Sequence, residues 1–189
     1  TREAVKMLTA KGLISSRPKK GIKVNEQIDW NLFDTDVLQW ILLGKHDLFL
    51  LRHFLQLRQA LEAQAAFLSA QYATKQNLAD IKAALQRMKN AEDGEDDSHE
   101  ADIEFHKAVF TATNNPFFVQ LKVFIETALK VNLRFTNRIN AVTNAEYQAH
   151  EDLFHFICNG QAQEAFDAAN RTQKATLALV EKEIAKRHN

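Results

Sequence analysis

From Asp47 to its end the chain contains just three strong breakers of secondary structure: Gly94, Pro116 and Gly160. A sandwich or barrel needs a turn signal roughly every 8–12 residues, so a stretch this poor in breakers favours long helices over a turn-rich β fold. Apolar residues recur instead with helical spacing. That pattern predicts helices over 47–71, 75–92, 98–113, 117–139, 144–158 and 161–187, interrupted at EDGEDD, NNP and CNG. The fold class is all-α: an antiparallel bundle of six to seven helices. The optional seventh is a short helix in DTDVLQWIL, carrying Leu38, Trp40, Ile41 and Leu42.

The segment ahead of the bundle has a different character. TREAVKMLTAKGLI spaces Ala4, Val5, Leu8 and Leu13 as a helix that Gly12 can close. LISSRPKKGIKV then reads as two short strands around a basic hairpin tip. Three regions follow: 1–25, one helix plus a hairpin; 26–46, a connector with a short helix; and 47–189, the bundle. The first helix has neither a cap nor an initiator Met, so residues upstream of Thr1 are expected.

Charge divides along the same line. Residues 1–24 hold seven Lys or Arg against one acid, a formal +6, so the rest of this neutral chain carries −6. A basic head on an acidic body suggests that the head meets a polyanion. The lone cysteine, Cys158, rules out an internal disulfide and a cysteine-rich zinc site, and fits a reducing cytoplasm. No apolar run is long enough to span a bilayer and no signal peptide is visible, so no membrane partner is expected.

Several ionisable residues stand where the bundle needs apolar ones. A helix turns by about 100° per residue, which puts Asp102 and His106 close together in the middle of the stripe formed by Ile103, Phe105, Val109, Phe110 and Ala112. His150 is flanked by Tyr147, Leu153, Phe154 and Ile157, and Arg58 by Leu51, Leu55, Leu61 and Ala65, with Glu62 one turn on. Asn132 lies in the stripe of 117–139. Unpaired charge is costly to bury, so these helices face one another's polar groups, a metal, water or a ligand. Asp-x3-His places a carboxylate and an imidazole on adjacent turns; with His150 it makes a mixed N/O set suited to Zn, Ni or Mn. Hydrogen-bonded core histidines and an Arg58–Glu62 (i, i+4) pair are the plainer alternative. No nucleophile with an activating base and no Gly-rich phosphate loop stands out, so an enzyme lacks positive support.

TREAVKMLTAKGLISSRPKKGIKV resembles the end of the recognition helix and the wing of a GntR-type winged helix-turn-helix domain. DWNLFDTDVLQWIL is similar to the linker of the FadR subfamily, especially its sugar-acid branch. LRQALEAQAA, Asp-x3-His, NNPFF and HEDLFHFICNGQAQEAF resemble that subfamily's C-terminal effector domain. The resemblance implies a DNA-binding transcriptional regulator with a truncated winged helix, controlled by a small hydroxylated carboxylate. It implies that Arg58 meets the effector's carboxylate and that Asp102, His106 and His150 are metal ligands. Metal-binding members carry a further His at the place of Thr172; here Thr172 and Gln173 offer polar groups there, and with Glu62 and Asn132 they are expected effector contacts. Arg2, Lys6, Arg17, Lys19 and Lys20 become the candidate DNA contacts, and a homodimer reading two-fold operator sites is expected. Two rivals stand beside this reading. One is a helical metalloenzyme acting on a small carboxylate. The other is a structural dimerisation module whose inward polar groups only pair with each other.

Overall fold

Helix boundaries in this protein fall where the local capping chemistry demands them. The structure, a computed structural model, describes residues 2–17, 19–43, 48–136 and 144–188. It divides into two units, Thr1–Lys45 and His46–Asn189.

The first unit opens with α1, Arg2–Ala10. It ends in a left-handed glycine cap: Gly12 has φ 74°, its N–H donates to Thr9, and the Leu13 N–H reaches back to Leu8 O at 3.0 Å. A side chain at Gly12 would meet the Asp29 carbonyl at 2.3 Å, so glycine is required there on two counts. Strands β1 (Ile14–Arg17) and β2 (Gly21–Val24) pair antiparallel in the register Ile14↔Val24 to Arg17↔Gly21. The expected hairpin with a basic tip is therefore formed. No residue of α1 is buried, because a nine-residue helix beside a two-stranded ribbon removes little surface. Helix α2 spans Thr35–Leu43, capped by Asp34 Oδ1 accepting from the Asp36 and Val37 N–H groups. Lys11 holds Asp34 at 2.7 Å and Asp36 at 2.9 Å.

Among the described residues the second unit is a bundle of six helices: α3 (Leu48–Tyr72), α4 (Lys75–Glu92), α5 (Ser98–Ala112), α6 (Pro116–Thr136), α7 (Asn144–Cys158) and α8 (Ala162–His188). Its start and stop signals are local. Thr74 and Asn77 form a reciprocal capping box ahead of α4, and Asp97 caps α5 through the His99 and Glu100 N–H groups. Asn114 takes φ 49°, Asn115 Oδ1 accepts from Phe117 N–H, and Pro116 occupies the first position of α6. The expected extension of this helix to 139 lies outside the described residues.

Helix α3 runs against α8, α5 packs on α3, α4 and α6, and α7 packs on α3, α4 and α8. Leu55, Ile81, Ile103, Phe105, Phe110, Ile125, Leu129, Ile157 and Val180 form the dry core. Each such side chain contributes roughly 1.5–3 kcal/mol by leaving water. Polar links between helices include Ser69 Oγ donating to Val109 O and Gln59 donating to Asn170. The bundle thus brings the middles of α3, α5, α7 and α8 to one place.

Candidate functional site

At that place the apolar core is interrupted. Arg58 and Glu62 from α3, Asp102 and His106 from α5, His150 from α7 and Gln173 from α8 are all buried. Arg58, Glu62, Asp102, His106 and His150 are ionisable residues that the helical stripes single out, Gln173 comes from the position that the resemblance points to, and the bundle gathers them into one cluster.

Three donor atoms converge. Asp102 Oδ1 lies 3.5 Å from His106 Nε2 and 3.3 Å from His150 Nε2, and the two imidazole nitrogens are 3.4 Å apart. For ligand bonds of about 2.0–2.1 Å, a tetrahedral metal requires donors about 3.3–3.4 Å apart and an octahedral one about 3.0 Å. The triangle is therefore already at the spacing of one face of a cation's coordination shell. Among the described residues it is the set of acidic and imidazole groups able to hold a metal ion. Phe105 supports it edge-on, its ring centroid 4.8 Å from that of His150 at 88°.

Glu62 stands behind the triangle. Its Oε1 accepts from Arg58 Nε, and its Oε2 accepts from Gln173 Nε2 and lies 3.2 Å from His106 Nδ1. That last contact keeps a proton on Nδ1, donated to Glu62, and leaves Nε2 facing Asp102 and His150, the arrangement that presets an imidazole for a metal. Electrostatics follow from the neighbours. Burial pushes the Glu62 carboxyl up, but Arg58 and His106 overcome it and hold it at about 2. Burial pushes the His106 imidazole down, and the flanking Glu62 and Asp102 carboxylates override this and raise it to about 9. Asp102 is likewise penalised by burial, yet His106 and His150 hold it well below the usual carboxylate range.

A cavity of about 20 Å³ adjoins the triangle, with Glu62, His106, His150, Thr172 and Gln173 among its walls and Phe110 and Leu153 on the apolar side. Thr172 is half-buried, and its hydroxyl donates to its own helix at Ala168 O, 3.3 Å away. Arg58 has no bond beyond Nε to Glu62 among the described residues. Asn132 belongs to α6, but its side chain is outside the described residues. The central position of Glu62 is the feature that sequence reasoning missed. Its spacing from Arg58 was the available signal, and that signal reads as a closed pair.

The candidate DNA contacts occupy the other unit. Arg2 and Lys6 are exposed on α1, where Lys6 pairs with Glu3 at 2.9 Å. Arg17, Lys19 and Lys20 are exposed at the hairpin tip, with Lys19 in the left-handed region at φ 63°.

Residues 53–174, which enclose the whole buried cluster, match the family described as the FCD domain. Over 169 residues the chain is 32% identical to the galactonate operon transcriptional repressor of Escherichia coli (strain K12), covering 89% of this chain and 74% of that protein. The chain belongs to the FCD-domain branch of the GntR transcriptional regulators. It is also 29% identical over 169 residues to the uncharacterized HTH-type transcriptional regulator YieP of Escherichia coli (strain K12), covering 88% of this chain and 72% of the relative. Its fold is similar to that of a solved structure, Streptococcus agalactiae GntR, with a TM-score of 0.62 at 19% identity over 94% of this chain and 79% of that one. In this GntR regulator all of Arg58, Glu62, Asp102, His106, His150, Thr172 and Gln173 lie inside the FCD segment, whereas α1 and the hairpin precede it. Among the described residues, no helix is long and apolar enough to cross a membrane.

Proposed function

We propose that the FCD domain of this regulator takes a divalent cation on Asp102, His106 and His150, and that the cation and Arg58 together bind a small hydroxylated carboxylate of the sugar-acid class. The observation that carries the reading is the triangle of donors with edges of 3.3–3.5 Å, its central imidazole braced from behind by Glu62. The donor chemistry fits a borderline cation such as Zn, Ni or Mn. Three protein ligands leave coordination positions open, which a carboxylate and a neighbouring hydroxyl can fill as a chelate.

Charge narrows the ligand further. Once the imidazoles coordinate as neutral groups, the remaining buried charges are one guanidinium and two carboxylates. A divalent cation among them leaves one positive charge uncompensated in a dry core. A monocarboxylate neutralises it; a dianion overshoots. Glu62, with both oxygens engaged by protein donors, supports the site in this reading instead of touching the effector. The name of the E. coli relative points to the same ligand class.

The regulator would act as a homodimer on operator DNA in the cytoplasm. Arg2 and Lys6 of α1 and Arg17, Lys19 and Lys20 of the hairpin would approach the duplex, and effector binding would shift the protein between states of different DNA affinity. A second reading draws on the balance of the ion-paired side chains alone: Arg58 and a protonated His106 offset Glu62 and Asp102. One experiment separates the two. Chelator-treated protein is titrated with Zn2+, Ni2+ and Mn2+ by calorimetry, alongside His150→Ala. Stoichiometric binding that His150→Ala abolishes supports the metal reading; no binding by the intact chain leaves only the self-paired core.

A further inference from the structure

Gln173 is the member of the cluster with a fully buried side-chain atom left without a hydrogen-bond partner among the described residues. Its side chain sits in a residue only 3% exposed, and Nε2 donates to Glu62 Oε2. Glu62 is a carboxylate clamped by Arg58 and can only accept. The amide NH2 end must therefore face Glu62, and the carbonyl end must face away. That oxygen, Oε1, is buried and has no hydrogen-bond partner among the described residues.

No side chain among the described residues donates to Oε1: Thr172 gives its proton to Ala168 O, His106 directs Nδ1 to Glu62, and Phe110 and Leu153 are apolar. The adjoining cavity of about 20 Å³ has room for one hydroxyl-sized group. Thr172, where the resemblance leads one to expect a histidine, is among the walls of this space.

We infer that Gln173 Oε1 accepts the hydrogen bond of a ligand hydroxyl next to the carboxylate, making Gln173 the residue that selects 2-hydroxy acids over their 2-deoxy and 2-oxo counterparts. The inference rests on the cation-and-carboxylate reading above. A hydroxyl drawn onto a cation is polarised and becomes a better donor. A 2-oxo group can still chelate the cation, but it turns lone pairs towards the lone pairs of Oε1. A 2-deoxy acid leaves Oε1 without a donor in a dry site. Both analogues are thus penalised, for different reasons.

The test uses the Zn2+- or Mn2+-loaded chain and calorimetric titration with galactonate and gluconate, each beside its 2-deoxy and 2-oxo counterpart. Wild type is expected to prefer the 2-hydroxy acid by about tenfold or more over both analogues. In Gln173→Met the ratio is expected to collapse to within about twofold, since a thioether is a poor acceptor. A Gln173 that merely braced Glu62 would weaken all three ligands together and leave the ratio intact, which overturns the inference. Equal binding of the 2-oxo or 2-deoxy acid by wild type overturns it without any variant, so a misfolded Gln173→Met does not protect it. Carboxylate binding without such preference removes this inference alone, whereas failure of the metal-loaded chain to bind any of the six acids removes the proposed effector class as well.

Discussion

Glu62→Gln is the substitution whose consequence the buried network specifies most fully. The change keeps the size and shape of the side chain and removes one charge. In the wild type three donors converge on the carboxylate: Arg58 Nε, His106 Nδ1 and Gln173 Nε2. An amide offers them one oxygen, and its NH2 end turns a donor towards whichever partner is left. Arg58, with its side chain only 4% exposed, keeps its charge without a counter-ion. Removing one partner of a buried ion pair costs about 3–5 kcal/mol, and both side chains here are buried enough that solvent screening does not reduce the figure. A chain of this size shifts its melting point by about 2–4 °C per kcal/mol, so a fall on the order of 10 °C is expected.

The assay is urea unfolding of the chelator-treated chain at neutral pH, with the slope checked for constancy so that the midpoint reports stability. Arg58→Met/Glu62→Met provides the control. Replacing both charges by apolar side chains of similar length removes the uncompensated guanidinium and is expected to recover part of the loss. Recovery is incomplete because His106 and Gln173 still lack their acceptor. A Glu62→Gln variant destabilised by less than about 1 kcal/mol, the size of a single ordinary hydrogen bond, would refute the claim that this carboxylate is the hub of the site.

Three further outcomes are expected. In the metal-free protein His106 is raised from 6.5 to about 9, so its stabilising contribution is fully present below pH 6.5 and is lost as pH rises through about 9; Glu62, lowered from 4.5 to about 2, contributes above pH 4.5 and loses its contribution as pH falls through about 2. Urea midpoints are therefore highest between about pH 4.5 and 6.5 and fall towards pH 9, and a midpoint that rises between pH 6.5 and 9 would contradict the assignment. Thr172→His adds an imidazole beside His106 and His150 at the cavity wall, and Zn2+ affinity by competition with a chelating dye is expected to rise by about tenfold or more; unchanged affinity would mean that this wall does not reach the cation. Lys19→Ala and Lys20→Ala, at the exposed hairpin tip, are each expected to lower by about one the slope of log affinity against log salt for operator-bearing DNA, and anisotropy titrations showing the wild-type slope would place the tip away from phosphate.

Most of the bundle is legible in the sequence because its boundaries are set locally. Thr74, Asp97, Pro116 and Gly160 act within one turn of themselves, and α4, α5, α6 and α8 begin within two residues of the positions those signals mark. The cluster is legible for a different reason. Arg58, Glu62, Asp102, His106 and His150 are conspicuous because burying an ionised group is expensive, and a helix that carries one on its apolar stripe needs a partner elsewhere. That logic says that partners exist and not which ones they are. Glu62 shows the limit: its neighbour four residues away is visible as a pattern, but His106 lies 44 positions on and Gln173 lies 111 positions on. The orientation of the Gln173 amide is further still from the sequence, because only the charge on Glu62 decides which end faces it. The proton on His106 Nδ1 is fixed by the same carboxylate. One anion on α3 thus sets both the His106 tautomer within the donor triangle and the end of the Gln173 amide left without a partner. If the domain takes the proposed cation and hydroxy acid, recognition would depend on α3 keeping its place against both helices, and a signal that shifted α3 along α8 would disturb the two proposed sites together.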